Sequence, residues 1–240
     1  MAKSSAIKSD TSHARLDGQS RERKANKILS VLKEHKTLSK SVLLDIGTGS
    51  GHIIALIAKK TRKAVSVDLY DERIEKRGYE FKKVPSEKLP FKDNAFDIAI
   101  SNHVLEHVPN QALHLSEIHR VLKKGGILYL ATPNRWWIMD PHYKLPFITW
   151  LPANLAARYL RWAKKKDNWD IYSLSYLALK KLAGKHFEMI DITPKLMKFP
   201  SRYGVDAYPL LQKAAKLIPL PLLKACTPLT PTFVYILKKK

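Results

Sequence analysis

A chain of 240 residues with 45% hydrophobic and 9% aromatic residues can bury a sizeable core, which excludes a disordered tract and favours one domain with elaborations. Its 43 Lys and Arg against 21 Asp and Glu give a formal charge of +22, which makes nucleic acid and an anionic membrane surface both candidate partners. The single cysteine, Cys226, excludes an intrachain disulfide, and the N-terminal MAKSSAIKSDTSHARLDG lacks the apolar core of a secretory signal, so the cytoplasm, with a peripheral position at the inner membrane face, is the expected location.

In chain order, residues 1–20 are polar and aperiodic and read as a mobile basic tail, with residues 21–240 forming a single domain. Ala25, Ile28, Leu29 and Leu32 then recur at helical spacing and predict a short amphipathic helix. VLLDI (42–46) is an apolar run of the kind buried parallel strands use, and three glycines and the apolar helix HIIALIAKK follow it. AVSVD (64–68) predicts a second strand, DERIEKR (71–77) a helix, and Tyr79–Lys82 a third strand before a loop holding Pro85 and Pro90. FDIAISN (96–102) predicts a fourth strand, Gln111–Leu122 a helix stopped by Gly125-Gly126, and GILYLAT (126–132) a fifth strand.

After Pro133 the regularity breaks. An aromatic-rich insertion at about 134–170 carries all five tryptophans, with Asp140, His142 and Tyr143 as its available polar groups. Helices near 175–185 and 205–217 and strands near 187–193 and 232–238 complete the pattern, within which about 205–231 is an apolar, basic, proline-punctuated segment. Alternating strands and helices predict a doubly wound α/β fold.

In such a sheet the ligand crevice lies beyond the carboxyl ends of the strands, and Gly47, Gly49 and Gly51 occupy the first strand-to-helix turn. A dinucleotide fingerprint would need its third glycine one residue later, where His52 stands, and no Gly-Lys-Ser/Thr completes a phosphate loop. Asp45 would repel a phosphate but suits a ligand with a cationic end. Asp68, at the end of the second strand, is placed to accept from both hydroxyls of a ribose.

DIGTGSG, Asp68, LPFKDNAFD, NHVLEHVPN and LKKGGILYLATPN, in that order and spacing, resemble the class I S-adenosylmethionine-dependent methyltransferases of the small-molecule group. The resemblance covers about residues 25–134 and, weakly, the terminal strands. It implies a Rossmann-like, mainly parallel sheet of seven strands with the last antiparallel, and S-adenosyl-L-methionine as cofactor. It places Asp45 near the amino end of the methionyl group and Gly47, Thr48, Gly49 and Gly51 beneath the cofactor. Asp68 would hold the ribose, Leu69 would pack on adenine and Asn102 would face the methionine side. Where the family has an acid and a small residue before LPF, this chain has Pro85-Ser86-Glu87, so Ser86 or Glu87 is expected to supply the adenine contact.

Methyl transfer mainly requires alignment of an acceptor, but an acceptor hydroxyl benefits from a general base. His107 is the first candidate and His103 the second, four residues apart around Glu106. His-x-x-Glu-His also supplies metal-type ligands, yet no further ligand can be placed from sequence and no metal is assigned. The expected function is methyl transfer, at oxygen, to a small or lipid- or glycan-linked acceptor. An RNA methyltransferase and a non-catalytic cofactor-binding regulator are the alternatives.

Overall fold

A computed structural model describes residues 18–204 and 217–240; residues 1–17 of the expected N-terminal tail and nearly all of the expected 205–217 helix lie outside them, while Gly18–Ser20, expected in the tail, begin a helix instead. Seven strands run β1 (Val42–Ile46), β2 (Lys63–Asp68), β3 (Glu80–Lys83), β4 (Phe96–Asn102), β5 (Leu122–Pro133), β6 (Phe187–Asp191) and β7 (Thr232–Lys239). Their order across the sheet is β3-β2-β1-β4-β5-β7-β6. The first five pair in parallel, and β7 is antiparallel to both β5 and β6. The expected fold class is therefore present, reversal of the last strand included. The strand order turns about β1 and β4, and the carboxyl edge at that point is where sheets of this topology place their ligands.

Alternation along the strands explains the two covered faces. Leu43, Ile98, Ile100 and Tyr129 point to one side, where α1 (Gly18–Lys33) packs Ile28 and Leu32 and α2 (His52–Ala58) packs Ile54 and Ile57. Leu44, Ala99, Leu128 and Leu130 point to the other, against Leu115 and Ile118 of α3 (Gln111–Val121). Each fully buried leucine or isoleucine contributes about 1.5–3 kcal/mol, which is why the uninterrupted apolar runs sit in the central strands.

Three local expectations fail for identifiable reasons. Residues 71–77 form no helix. Ile74 N and Glu75 N both donate to Ser50 O at 3.0 Å, which ties the segment to the glycine turn. Arg73 is drawn 3.9 Å over the Phe81 ring, so tertiary partners outcompete helical propensity. Second, β5 starts at Leu122, because Leu122 pairs with Phe96 and an irregularity follows before the ladder resumes at Ile98 and Ile127. Third, the strand expected to reach Thr193 ends at Asp191, where the short α6 (Thr193–Lys198) begins.

The insertion is partly helical, with α4 (Ala153–Trp162) over a small core of its own formed by Tyr143, Ile148, Ala156, Leu160 and Ile171. Beyond it, α5 (Tyr176–Ala183) joins the second face, and α7 (Leu220–Ala225) precedes β7. Asn134 fastens the insertion to the chain end, its side-chain amide donating to Pro228 O at 2.8 Å and Thr230 O at 2.9 Å.

Candidate active site

At the end of β1 the chain must reverse into α2 while leaving room above it. Gly47 N donates to Val67 O at 2.9 Å, and Gly49 N donates to Asp68 Oδ2 at 2.9 Å. Leu69 N donates to Asp68 Oδ1 at 2.7 Å, so one carboxylate fixes both the glycine turn and the exit of β2. Each of its oxygens retains acceptor capacity. Gly51 has φ +80°, and a Cβ there would run into the Glu75 carbonyl and the Tyr79 hydroxyl. Gly49, at φ +51°, has nothing within 4 Å of where a Cβ would stand. The space above the turn is thus a cradle that a side chain would fill. Leu69 and Tyr70 flank it 51% and 60% exposed, apolar surface suited to a flat ring.

Asp45 sits deeper than the sequence suggested. It is 6% exposed, and the Ser66 hydroxyl donates to its Oδ2 at 2.8 Å and shares a 2.5 Å hydrogen bond with Thr48. Burial pushes its carboxyl up to about 7, with the Ser66 hydrogen bond opposing and the Asp68 charge adding to the rise. A cationic group brought close would favour ionisation and release a proton. In the free protein the raised value makes ionisation costly. The stability linked to Asp45 is fully present below the ordinary value of 3.8 and is lost as pH rises through about 7. Asp45→Asn is therefore expected to gain on the native protein between pH 5 and pH 8, by on the order of a few kcal/mol. Urea unfolding of both proteins at the two pH values checks this, and a constant difference would show that Asp45 stays ionised throughout.

A second polar cluster follows β4. Asn102, half-buried, is the last residue of the strand, and His103 turns the chain at φ +57°, a conformation a non-glycine residue adopts only when its surroundings impose it. Leu105–His107 form a single 3₁₀ turn, which carries Glu106 into the interior with 0% exposure. Its Oε2 accepts from Thr132 Oγ1 at 3.1 Å, and its Oε1 stands 3.3 Å from His103 Nδ1 and 3.8 Å from His142 Nε2. Burial pushes the carboxyl up, but the adjoining His103 ring and the His107 charge outweigh it and hold Glu106 below the ordinary value. Burial holds His142 below the usual imidazole value, with the Asp140 charge opposing, so its ring is neutral near pH 7. The His107 and His142 rings meet edge to face with centroids 4.8 Å apart.

The insertion supplies His142 through a turn of its own. Asp140 Oδ2 accepts from His142 N at 2.9 Å and from Tyr143 N at 2.6 Å, and the Tyr143 hydroxyl donates to Asp170 at 2.6 Å. Tyr172 N donates to Glu106 O at 2.7 Å, while the Gln111 side chain donates to Leu105 O and Tyr172 O, so the insertion closes over the 3₁₀ turn. Glu106 Oε1, which meets His103 Nδ1 at 3.3 Å as an electrostatic contact, and His142 Nδ1 are buried without a hydrogen bond. Such unused capacity is expected of a site completed by its ligand.

The residues proposed from sequence thus fall into two groups along one edge. Asp45, Gly47, Thr48, Gly49, Gly51, Asp68 and Leu69 form the turn at β1 and β2, while Asn102, His103 and His107 follow β4. Ser86 and Glu87 lie in the loop after β3, which Val84 N joins to Asp68 O at 2.9 Å; Ser86 is exposed and Glu87 half-buried. Glu106, His107 and His142 also bring one ligand atom each within 4.8 Å. Three such donors have the composition of a catalytic metal site whose coordination water would complete, and a buried carboxylate facing imidazole nitrogens has equally the composition of an acid–base unit. Ser66 and Thr132 escaped the sequence because nothing local marks a serine or threonine that a neighbouring strand will turn toward a carboxylate.

Residues 44–130 match the sequence family described as methyltransferase domain. The chain is 27% identical over 179 residues, covering 69% of itself and 73% of the relative, to the ubiquinone biosynthesis O-methyltransferase of Pelagibacter ubique. It is 34% identical over 108 residues to the ubiquinone/menaquinone biosynthesis C-methyltransferase UbiE of a Geobacter species, covering 38% of this chain and 46% of that one. The chain spans about half or less of the length of several of the relatives it matches. Among solved structures it resembles the 1,6-didemethyltoxoflavin-N1-methyltransferase of Burkholderia thailandensis, at TM-score 0.51 and 17% identity over 96% of this chain and 80% of that one.

Proposed function

We propose that residues 44–130, which match the methyltransferase domain, are the class I S-adenosylmethionine-dependent core of an enzyme that methylates a hydroxyl of an apolar small molecule or lipid-linked acceptor, with His103 as base and Glu106 as its orienter. The cofactor supplies a methyl group on a sulfonium, already an excellent leaving group. The chain's task is to hold the cofactor and present the acceptor. Asp68 with the turn at Gly47–Gly51 would hold the nucleoside, Leu69 the face of its base, and Asp45 and Asn102 the amino acid end.

The observation that carries the oxygen assignment is the buried Glu106 carboxylate 3.3 Å from His103 Nδ1. A carboxylate at Nδ1 favours the tautomer with its proton there, leaving Nε2 to take the acceptor's proton. This ranks His103 above His107, the reverse of the order the sequence alone favoured, while His107 and His142 line the same cluster. The name of the Pelagibacter relative supports an oxygen acceptor, and the exposed aromatics of the insertion support an apolar one. Such an acceptor resides at a lipid surface, one of the two partners with which the basic balance is compatible.

Incubation with methyl-labelled cofactor and separated lipid, soluble-metabolite and RNA fractions of a lysate tests the reading. Label is expected in the lipid extract in an alkali-stable form, as a methyl ether requires. Label confined to RNA would overturn it.

A further inference from the structure

The insertion leaves its largest apolar side chains in solvent. Trp162 is 79% exposed, Trp136 52%, Ile138 51%, Phe147 47% and Trp150 41%. Three of these rings are held against one another, Trp136 and Phe147 lying 5.9 and 4.9 Å from Trp150 between centroids. The fifth tryptophan, Trp169, does pack on the small core. In α4, Ala156 and Leu160 face that core while Leu155 and Trp162 face out, with Arg158 and Arg161 beside them. From Arg135 to Lys166 the chain has seven basic residues and a single acid, Asp140, which is 2% exposed and bound to the backbone beneath. Arg135 rests 5.4 Å over the Trp136 ring.

The next acids in the chain, exposed Asp167 and half-buried Asp170, come only after Lys166, and Asp170 pairs with that lysine at 2.6 Å. Exposed indoles interleaved with long basic side chains match the boundary of an anionic bilayer: rings enter the headgroup–acyl boundary and cations pair with lipid phosphates. A protein partner surface would need acids of its own to meet these bases. No helix among the described residues is long and apolar enough to cross a membrane. The same segment carries His142 into the Glu106 cluster.

We propose that residues 135–166 are an interfacial docking face for an anionic lipid bilayer, which sets the mouth of the crevice at the depth where an apolar acceptor dissolves. The proposal extends the methyl-transfer reading to the partner of that same site, and it rests on that reading only for what docking delivers.

The test uses the full chain, vesicles of phosphatidylcholine with and without phosphatidylglycerol, and brominated lipids that quench tryptophan by depth. Wild type is expected to float with the anionic vesicles and to lose fluorescence to bromine near the headgroup boundary. W136A/W162A should partition at least ten-fold less and lose that quenching, with unchanged circular dichroism and unchanged S-adenosylhomocysteine binding. Flotation without depth quenching, or equal partition of the double variant, would mean adsorption by charge alone and overturn the proposal. Binding to structured RNA but not vesicles, weakened by the same substitutions, would overturn it as well. Loss of cofactor binding in wild type would instead count against the methyl-transfer reading, so the two failures are separable.

Discussion

Glu106→Gln should lower kcat by about two to three orders of magnitude while leaving cofactor affinity within about two-fold. The substitution keeps volume and planarity, so the 3₁₀ turn and the Thr132 contact have a comparable shape to close on. What changes is the group facing His103 Nδ1. A carboxylate can only accept, which favours a proton on Nδ1 and leaves Nε2 unprotonated. A glutamine side chain can present its amide N–H to Nδ1 and favour the opposite tautomer, with the proton already where the acceptor's should go. The expected loss therefore lies in kcat and not in binding. His103→Gln should give a comparable loss, and combining the two should cost little more, because the residues act as a unit. Equal losses in kcat and cofactor affinity, or additive losses in the double variant, would make Glu106 a structural residue only. Steady-state kinetics with calorimetric titration of S-adenosylhomocysteine separates these outcomes.

How much of the fold and site is legible in the sequence depends on how local each determinant is. The turn at Gly47–Gly51 and the acid at Asp68 are readable because a backbone conformation and a strand end impose residue types at fixed spacing. The parallel core strands are readable because burial on both faces requires uninterrupted apolar runs. The segment at 71–77 misleads because its periodicity is helical, whereas its backbone donors are taken by Ser50 and its Arg73 by Phe81. Asp45 is legible as a position but not as a protonation state, since its surroundings include Ser66 of the neighbouring strand, itself bonded to Thr48 of the turn. His142 can be named as a polar group of the insertion, but its approach to Glu106 depends on a loop closure that no periodicity encodes.

The second large effect concerns Asp68. Its carboxylate holds Gly49 N and Leu69 N and retains lone pairs for a ribose. Asp68→Ala should thus remove direct contacts and loosen the cradle that Gly49 leaves open. Hydrogen bonds involving a charged partner contribute about 1.5–3 kcal/mol each, and losing two of them weakens binding by about 100-fold or more. Asp68→Asn tests the charge separately: its oxygen can serve one of the backbone donors, while its amide N–H meets the other donor head on, so an intermediate loss is expected.

Everything proposed for the acceptor side depends on a nucleoside seated on this turn. The direct measurement is calorimetric titration of the full chain with S-adenosylhomocysteine, for wild type and Asp68→Ala, with thermal unfolding to show that the variant is folded. Saturable one-site binding by wild type, weakened about 100-fold or more in a folded variant, is the predicted result. No binding by wild type, or equal affinity in both proteins, would contradict it.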